Sequence, residues 1–238
     1  MYDYDDGLSR RRAKRFLRGR IVELTADVLF GVHAFWLHGF FVAEAWRRLY
    51  GFPRSWPLWA SFFVHDIGYL GKTDIEGPSG ETHVYAGARV MTRLFGPVWG
   101  EFCLRHSRYW RRSHGGGLSR LAAADKLAFV LTPHWLYLPM ARATGELSEY
   151  MAVTQVRQVL DGGFTEPERE LLASGNARSW LKALQAYTRR WVEEHADQCS
   201  SVDEIRTEHG QNQWTVSFNR AGGERRIYGS ARRIEKDT

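Results

Sequence analysis

Four histidines and two aspartates stand out by type and position: His38, His65 with its neighbour Asp66, His83, His106 and Asp125. The intervals are 27 residues from His38 to His65, 17 from Asp66 to His83, 23 to His106 and 19 to Asp125. Each is about one helix plus a turn, so a helical bundle can bring all six side chains together between facing helices. Imidazole and carboxylate donors without a thiolate suit iron, manganese, zinc, cobalt or nickel and argue against a cysteine-built structural zinc site. Six donors exceed what one ion usually needs. The aspartate of the His65-Asp66 pair could bridge two ions and leave positions open for water and substrate. Such a centre lowers the pKa of a bound water and clamps a transferring phosphoryl group.

Each residue alone also has a plainer reading. His38 has Phe35, Phe41, Val42 and Ala45 around it at helical spacing, as a buried core histidine would. Asp125 lies between Ala122–Ala124 and Leu127–Val130, where an uncompensated carboxylate is costly and a metal or a basic partner would relieve it. Order, spacing and apolar setting together favour the metal site. Around His106, Arg105, Arg108, Arg111 and Arg112 could pair with a substrate phosphate in bidentate fashion, or simply form a solvated helix end.

The elements that must position these residues read as helices. Arg10–Tyr50 is periodic and stops at Gly51-Phe52-Pro53, and Trp56–Leu70 runs into a glycine-rich loop at Gly71–Gly80. Glu81–Phe95, Val98–Trp110 and Leu118–Leu131 follow, with Arg111–Gly117 as a basic connector, and then Glu146–Leu160 and Glu166–Ala196. Alternating apolar residues around Ala221-Gly222-Gly223 predict a β-hairpin. The expected fold class is all-α: a helical bundle with a helical C-terminal extension and a small β-hairpin tail. The tryptophans Trp56, Trp59, Trp99, Trp110 and Trp135 read as core rather than as a base-stacking platform.

Composition bounds the function. With 44 % hydrophobic and 25 % charged residues, the chain has a globular rather than a disordered composition. Its net charge of +6 is uneven: residues 1–20 carry +4 and residues 220–238 carry +3, so the body is near neutral. Basic ends can attract nucleic acid through its phosphates or can be solvated termini, and no zinc finger, RNA-recognition signature or P-loop accompanies them. The most apolar stretch, Val28–Ala43, is 16 residues long and contains His33 and His38, too short and polar for a membrane span. No secretory signal is visible, and Cys103 and Cys199 have no CxxC partner, so a cytoplasmic location is expected.

The set His38, His65-Asp66 and Asp125 resembles the H…HD…D signature of the HD-domain metal-dependent phosphohydrolase superfamily. HGFFVAEA is similar to the family's first-histidine helix; His33 is the rival, but His38 gives the more usual spacing. HVYAGARV and RHSRYWRRSHGGGLSRLAAADKL, with His83 and His106, resemble the subset with extra histidines and two metals, closest to diadenosine-tetraphosphate hydrolases. HDIGYLGK is similar to HD-GYP phosphodiesterases, although the GYP loop is absent.

The resemblance covers roughly residues 25–135. It implies an HD-type catalytic domain over 21–160, after a basic segment at 1–20 and before a helical extension and basic hairpin tail at 161–238. It also implies two divalent ions, iron or manganese first, with zinc, cobalt, nickel or magnesium as alternatives. The expected substrate is a nucleotide or other small phosphate ester or anhydride, with Asp66 and Lys72 in catalytic roles. Tyr69, a candidate substrate contact, stands where many relatives have a lysine or histidine, and Lys72 is the nearest displaced cation. With the same ligands, a mixed-valent di-iron oxygenase is the alternative enzyme. A nucleic-acid-binding regulator with a degenerate site is the alternative outside catalysis.

Overall fold

The computed structural model describes residues 35–69, 82–143, 147–148, 150–154, 163–212, 215–218 and 224–227. The basic segment at 1–20, His33, the loop at 71–80 and Lys72 lie outside the described residues. What is described is mostly helical.

Helix α1 (Phe35–Tyr50) buries Val42, Ala45 and Trp46. Helix α2 (Trp56–Val64) begins at Ser55, whose side chain accepts the Leu58 N–H, with Pro57 in the first turn where no N–H is required. It ends at His65 and Asp66, followed by a short 3₁₀ turn at Ile67–Tyr69. Helix α3 (Val84–Phe95) packs closely against this turn and the end of α2. A Cβ on Gly68 would lie 1.8 Å from the His83 carbonyl oxygen, and one on Gly87 would lie 2.3 Å from that of Val64. Only glycine fits at either position, and this backbone-to-backbone approach sets His83 beside Asp66.

The single helix expected over Val98–Trp110 is instead two: α4 (Pro97–Leu104) and α5 (Arg108–His114). The break falls at Ser107, which is extended (φ −88°, ψ 132°) and accepts the N–H groups of Tyr109 and Trp110 to start the new helix. Arg111–His114, expected in a connector, complete α5. Phe62 of α2 and Phe102 and Leu104 of α4 are fully buried in one core, each contributing about 1.5–3 kcal/mol relative to exposure.

Helix α6 (Arg120–Leu131) crosses α1 through Leu121 and Ala124, and with Ala122 and Ala123 these form a fully buried run. Small side chains let the two axes come close, and this brings Asp125 within reach of His38.

Helices α7 (His134–Ala143), α8 (Glu166–Ala173), α9 (Ala177–His195) and α10 (Val202–Asn212) complete the helical part. The helix expected over Glu166–Ala196 breaks at Gly175, whose φ of 67° is left-handed, and restarts where Asn176 accepts the Ser179 N–H at 2.9 Å. Helix α9 packs on α6, and its Gln185 side chain donates to the last-turn carbonyls of Phe129 and the cap carbonyl of Thr132, at 3.1 and 2.8 Å. Helix α10 buries Ile205 against α4.

Strands β1 (Thr215–Phe218) and β2 (Glu224–Ile227) pair antiparallel, Thr215 opposite Ile227. Two of the tryptophans expected in the core are at the surface: Trp56 is 85 % exposed and Trp135 is 67 % exposed. Trp110 is buried, and Trp59 and Trp99 pack at the core's edge. Among the described residues no helix is long and apolar enough to cross a membrane.

Candidate metal centre

Five elements converge on one point. His38 comes from α1, His65 and Asp66 from the end of α2, His83 from the start of α3, His106 from the α4–α5 break and Asp125 from α6. The donors fall into two groups that share Asp66: His38, His65, Asp66 and Asp125 in one, and Asp66, His83 and His106 in the other, with the ligand atoms of each within 4.8 Å of one another. In the first group, Asp66 Oδ2 lies 3.3 Å from His65 Nε2 and 3.8 Å from His38 Nε2. Asp125 Oδ1 is 2.9 Å from His38 Nε2 and 3.6 Å from His65 Nε2. In the second, Asp66 Oδ1 is 3.4 Å from both His83 Nε2 and His106 Nε2. The carboxylate therefore turns one oxygen to each group.

The surroundings fix the donor atoms. His65 Nδ1 lies 3.1 Å from the Ser61 carbonyl and His106 Nδ1 lies 2.5 Å from that of Cys103. A ring that donates Nδ1–H to a carbonyl presents a bare Nε2 lone pair, which is the usual way of orienting a metal-binding imidazole. His65 Nε2 is buried and makes no well-aligned hydrogen bond, its nearest acceptors being the Asp66 and Asp125 carboxylates at 3.3 and 3.6 Å. His83 Nε2 and His106 Nε2 face each other at 3.2 Å, an arrangement that needs a proton or a cation between two lone pairs. These two observations are what a cation-binding site requires, so the donor set could hold a metal ion.

Charge tells the same story. Burial works against ionising Asp66, but His65, His106 and His83 outweigh it and hold its carboxyl well below the usual range. Burial also opposes the Asp125 carboxylate, and His38 and His65 overcome it. In the metal-free chain the compensating proton sits on His65: burial pulls that imidazole down, yet Asp66 and Asp125 raise it to about 10. Burial keeps His106 below its ordinary value, ready to present a neutral ring. Burial, reinforced by Asp66, also pushes the Cys103 thiol up, so it stays protonated and adds no thiolate donor.

The centre opens onto a cavity of about 740 Å³ that exposes His38, Asp66, His83, His106 and Asp125. Tyr69, Arg108 and Arg112, expected to contact substrate, line it; the Tyr69 ring stacks on His83 with centroids 4.0 Å apart. Arg105 and Arg111 are absent from its lining. Arg105 is buried and donates to Glu101 at 2.7 Å and Glu208 at 2.6 Å, tying α10 to α4, so its guanidinium is committed to holding the fold. His209 reinforces that network through Glu101. Arg111 points to solvent.

Lys126 also lines the cavity next to Asp125, with its Nζ 5.2 Å from the centre of the Trp191 ring of α9. Burial, together with the nearby Arg108, pushes its ammonium down. Tyr109 of α5 and residues of the C-terminal helices, among them Tyr150, Tyr187 and Trp191, line the cavity as well. The only sequence signal for Lys126 was its place beside Asp125, and the aromatic residues carried none.

No protein-family model, curated protein or solved structure matches the chain. The functional reading therefore rests on the geometry above.

Proposed function

We propose that the chain is a metal-dependent phosphohydrolase of the HD-domain type, acting on a nucleotide or another small phosphate ester or anhydride. The observation that carries this reading is Asp66, a single buried carboxylate with one oxygen toward each of two histidine-bearing groups. Two divalent ions held there, iron or manganese before zinc, cobalt, nickel or magnesium, would supply a Lewis acid and an acidified water at phosphorus. His38, His65 and Asp125 would hold one ion, His83 and His106 the other, and Asp66 would join them.

The remaining roles belong to side chains facing the same cavity. Arg108, Arg112 and Lys126 bind the phosphate by charge-assisted hydrogen bonds and offset its developing charge. The Tyr69 ring, stacked on His83, fixes that imidazole's plane. In the reaction the water oxygen bonds to phosphorus, the ester P–O bond breaks, and the departing alcohol takes up a proton released by the water.

The test is phosphate release from p-nitrophenyl phosphate and from nucleoside phosphates by the iron- or manganese-loaded chain. Hydrolysis that stops in a folded Asp66→Ala variant supports the reading. A folded and fully active Asp66→Ala, or a metal-replete chain inert toward every ester, overturns it. The same thiolate-free donor set also suits a di-iron oxygenase. Oxygen consumption with an organophosphonate or a polyol, with an iron requirement that manganese cannot meet, would favour that chemistry instead.

A further inference from the structure

Beyond the metal centre, the cavity changes character. All of its acidic lining residues, Asp66 and Asp125, belong to the metal cluster, and its fixed cations, Arg108, Arg112 and Lys126, sit on α5 and α6 with the cluster. Among the described residues, the rest of the wall carries no formal charge. It comes from the C-terminal end of α6, from Tyr137 of α7, from 150–154, from Gly163 and Phe164 and from α9, and its half-buried members include Phe129, Tyr150, Val153, Leu184, Tyr187 and Thr188.

Several of these side chains are already held in place. Trp180 Nε1 donates to Thr154 Oγ1 at 3.1 Å, and that hydroxyl donates in turn to the Tyr150 carbonyl at 2.7 Å. Tyr187 packs on Phe164, centroids 4.9 Å apart, with the Arg190 guanidinium 5.4 Å from its ring centre. The wall is thus built before any ligand arrives, as ligand pockets usually are. Lys126 marks the junction: it has no acidic partner within ion-pair distance among the described residues, and α9 supplies the Trp191 ring beside it.

A volume of about 740 Å³ is several times what a phosphate group fills. Among the described residues a second charged group would find no charged partner in the far half, and a polyhydroxylated chain would meet mostly rings and aliphatic side chains. We infer that this half of the cavity is a pocket for the organic part of the substrate, and that it selects a phosphate ester with one anionic end and an uncharged, ring-bearing group. This rests on the phosphohydrolase reading for the chemistry at phosphorus, but the pocket itself can be tested without turnover.

Two probes that cannot be hydrolysed at phosphorus, methylphosphonate and (1-naphthylmethyl)phosphonate, share the anionic end and differ by the ring. On the manganese-loaded full-length chain, calorimetry is expected to show the naphthyl probe binding at least roughly 30-fold more tightly, the scale of burying one ring's apolar surface. Tyr187→Ala, and separately Thr188→Trp, which fills the space instead of emptying it, are each expected to cut that ratio below about threefold. Equal affinity for the two probes, failure of both to bind, or a ratio untouched by both substitutions would overturn the pocket. If the naphthyl preference holds but the chain hydrolyses neither 1-naphthyl phosphate nor ethyl phosphate with any metal, the pocket stands and the phosphohydrolase reading falls. If both esters are hydrolysed with equal kcat/KM and neither probe is preferred, the reverse is true.

Discussion

The two halves of the cavity hold their shape by different means. At the metal end the donors come from five separate elements, and the two imidazoles with a resolved Nδ1 partner are set by a backbone carbonyl. The buried Asp66 and half-buried Asp125 carboxylates require positive charge, so composition and position there are tightly constrained. At the far end the described wall residues carry no formal charge, and the wall is held by packing of Phe164, Trp180 and Tyr187 and by the Thr154 hydroxyl. On the proposed function, one half would do chemistry on a group of fixed geometry, a phosphate, and the other would recognise a shape. Lys126, between them, belongs to the first by charge and to the second by its contact with Trp191.

That contrast gives an order of expected effects. The largest follows metal removal: dialysis against a chelator is expected to abolish turnover and lower Tm, because a ligand bound only by the folded chain stabilises it. In the chelated protein the pH dependence has a definite sign. His65, raised from 6.5 to about 10, contributes stability that is complete below pH 6.5 and is lost as pH rises toward 10. Asp66 and Asp125, held well below 3.8, contribute stability that is present above that pH and lost on acidification. Thermal melts of the metal-free chain are expected to peak between these limits. Metal loading is expected to remove the alkaline decline, since deprotonated ligands bind the ions better; a decline of equal size with metal bound would break the comparison.

Next, the two donor groups can be separated. His38→Ala is expected to empty the group with Asp125 and His83→Ala the group with His106, each lowering bound metal to about half, a loss that elemental analysis reads directly. Loss of all metal from both variants would mean that the groups act as one site. Smaller still, Lys126→Met removes a charge-assisted hydrogen bond worth about 1.5–3 kcal/mol, so KM for a phosphate ester should rise roughly 10- to 150-fold. Metal content and fold should be retained, and an unchanged KM would place Lys126 with the structural residues. Arg105→Met acts on the fold alone. It leaves Glu101 buried beside His209 without its main partner and should cost about 3 kcal/mol in urea unfolding. An effect on turnover at temperatures where the variant stays folded would contradict its structural role.

What could be read from the sequence follows the same division. His38, His65, Asp66, His83, His106 and Asp125 were visible because polar, metal-binding types recur there at helical intervals in apolar segments, and the structure brings all six together. The break at Arg105–Ser107 does not show in the pattern, although Ser107 is a strong helix-start residue, because the apolar periodicity runs through it. By position alone Arg105 groups with Arg108, Arg111 and Arg112 as a phosphate contact. The pair Glu101 and Arg105, four residues apart, was the available hint that its charge is answered within the fold. For Tyr150, Tyr187 and Trp191 there was no comparable signal. Aromatic residues on amphipathic helices are ordinary, and only the fold lines one cavity with these rings and the His/Asp donors.

The most direct test of the central claim is metal content per chain, measured by elemental analysis on protein purified anaerobically without added metal, wild type against Asp66→Ala. Close to two iron or manganese ions per wild-type chain, with both lost from a folded Asp66→Ala, is the expected result. One ion or none after reconstitution, or two retained without Asp66, would contradict a centre bridged by that carboxylate.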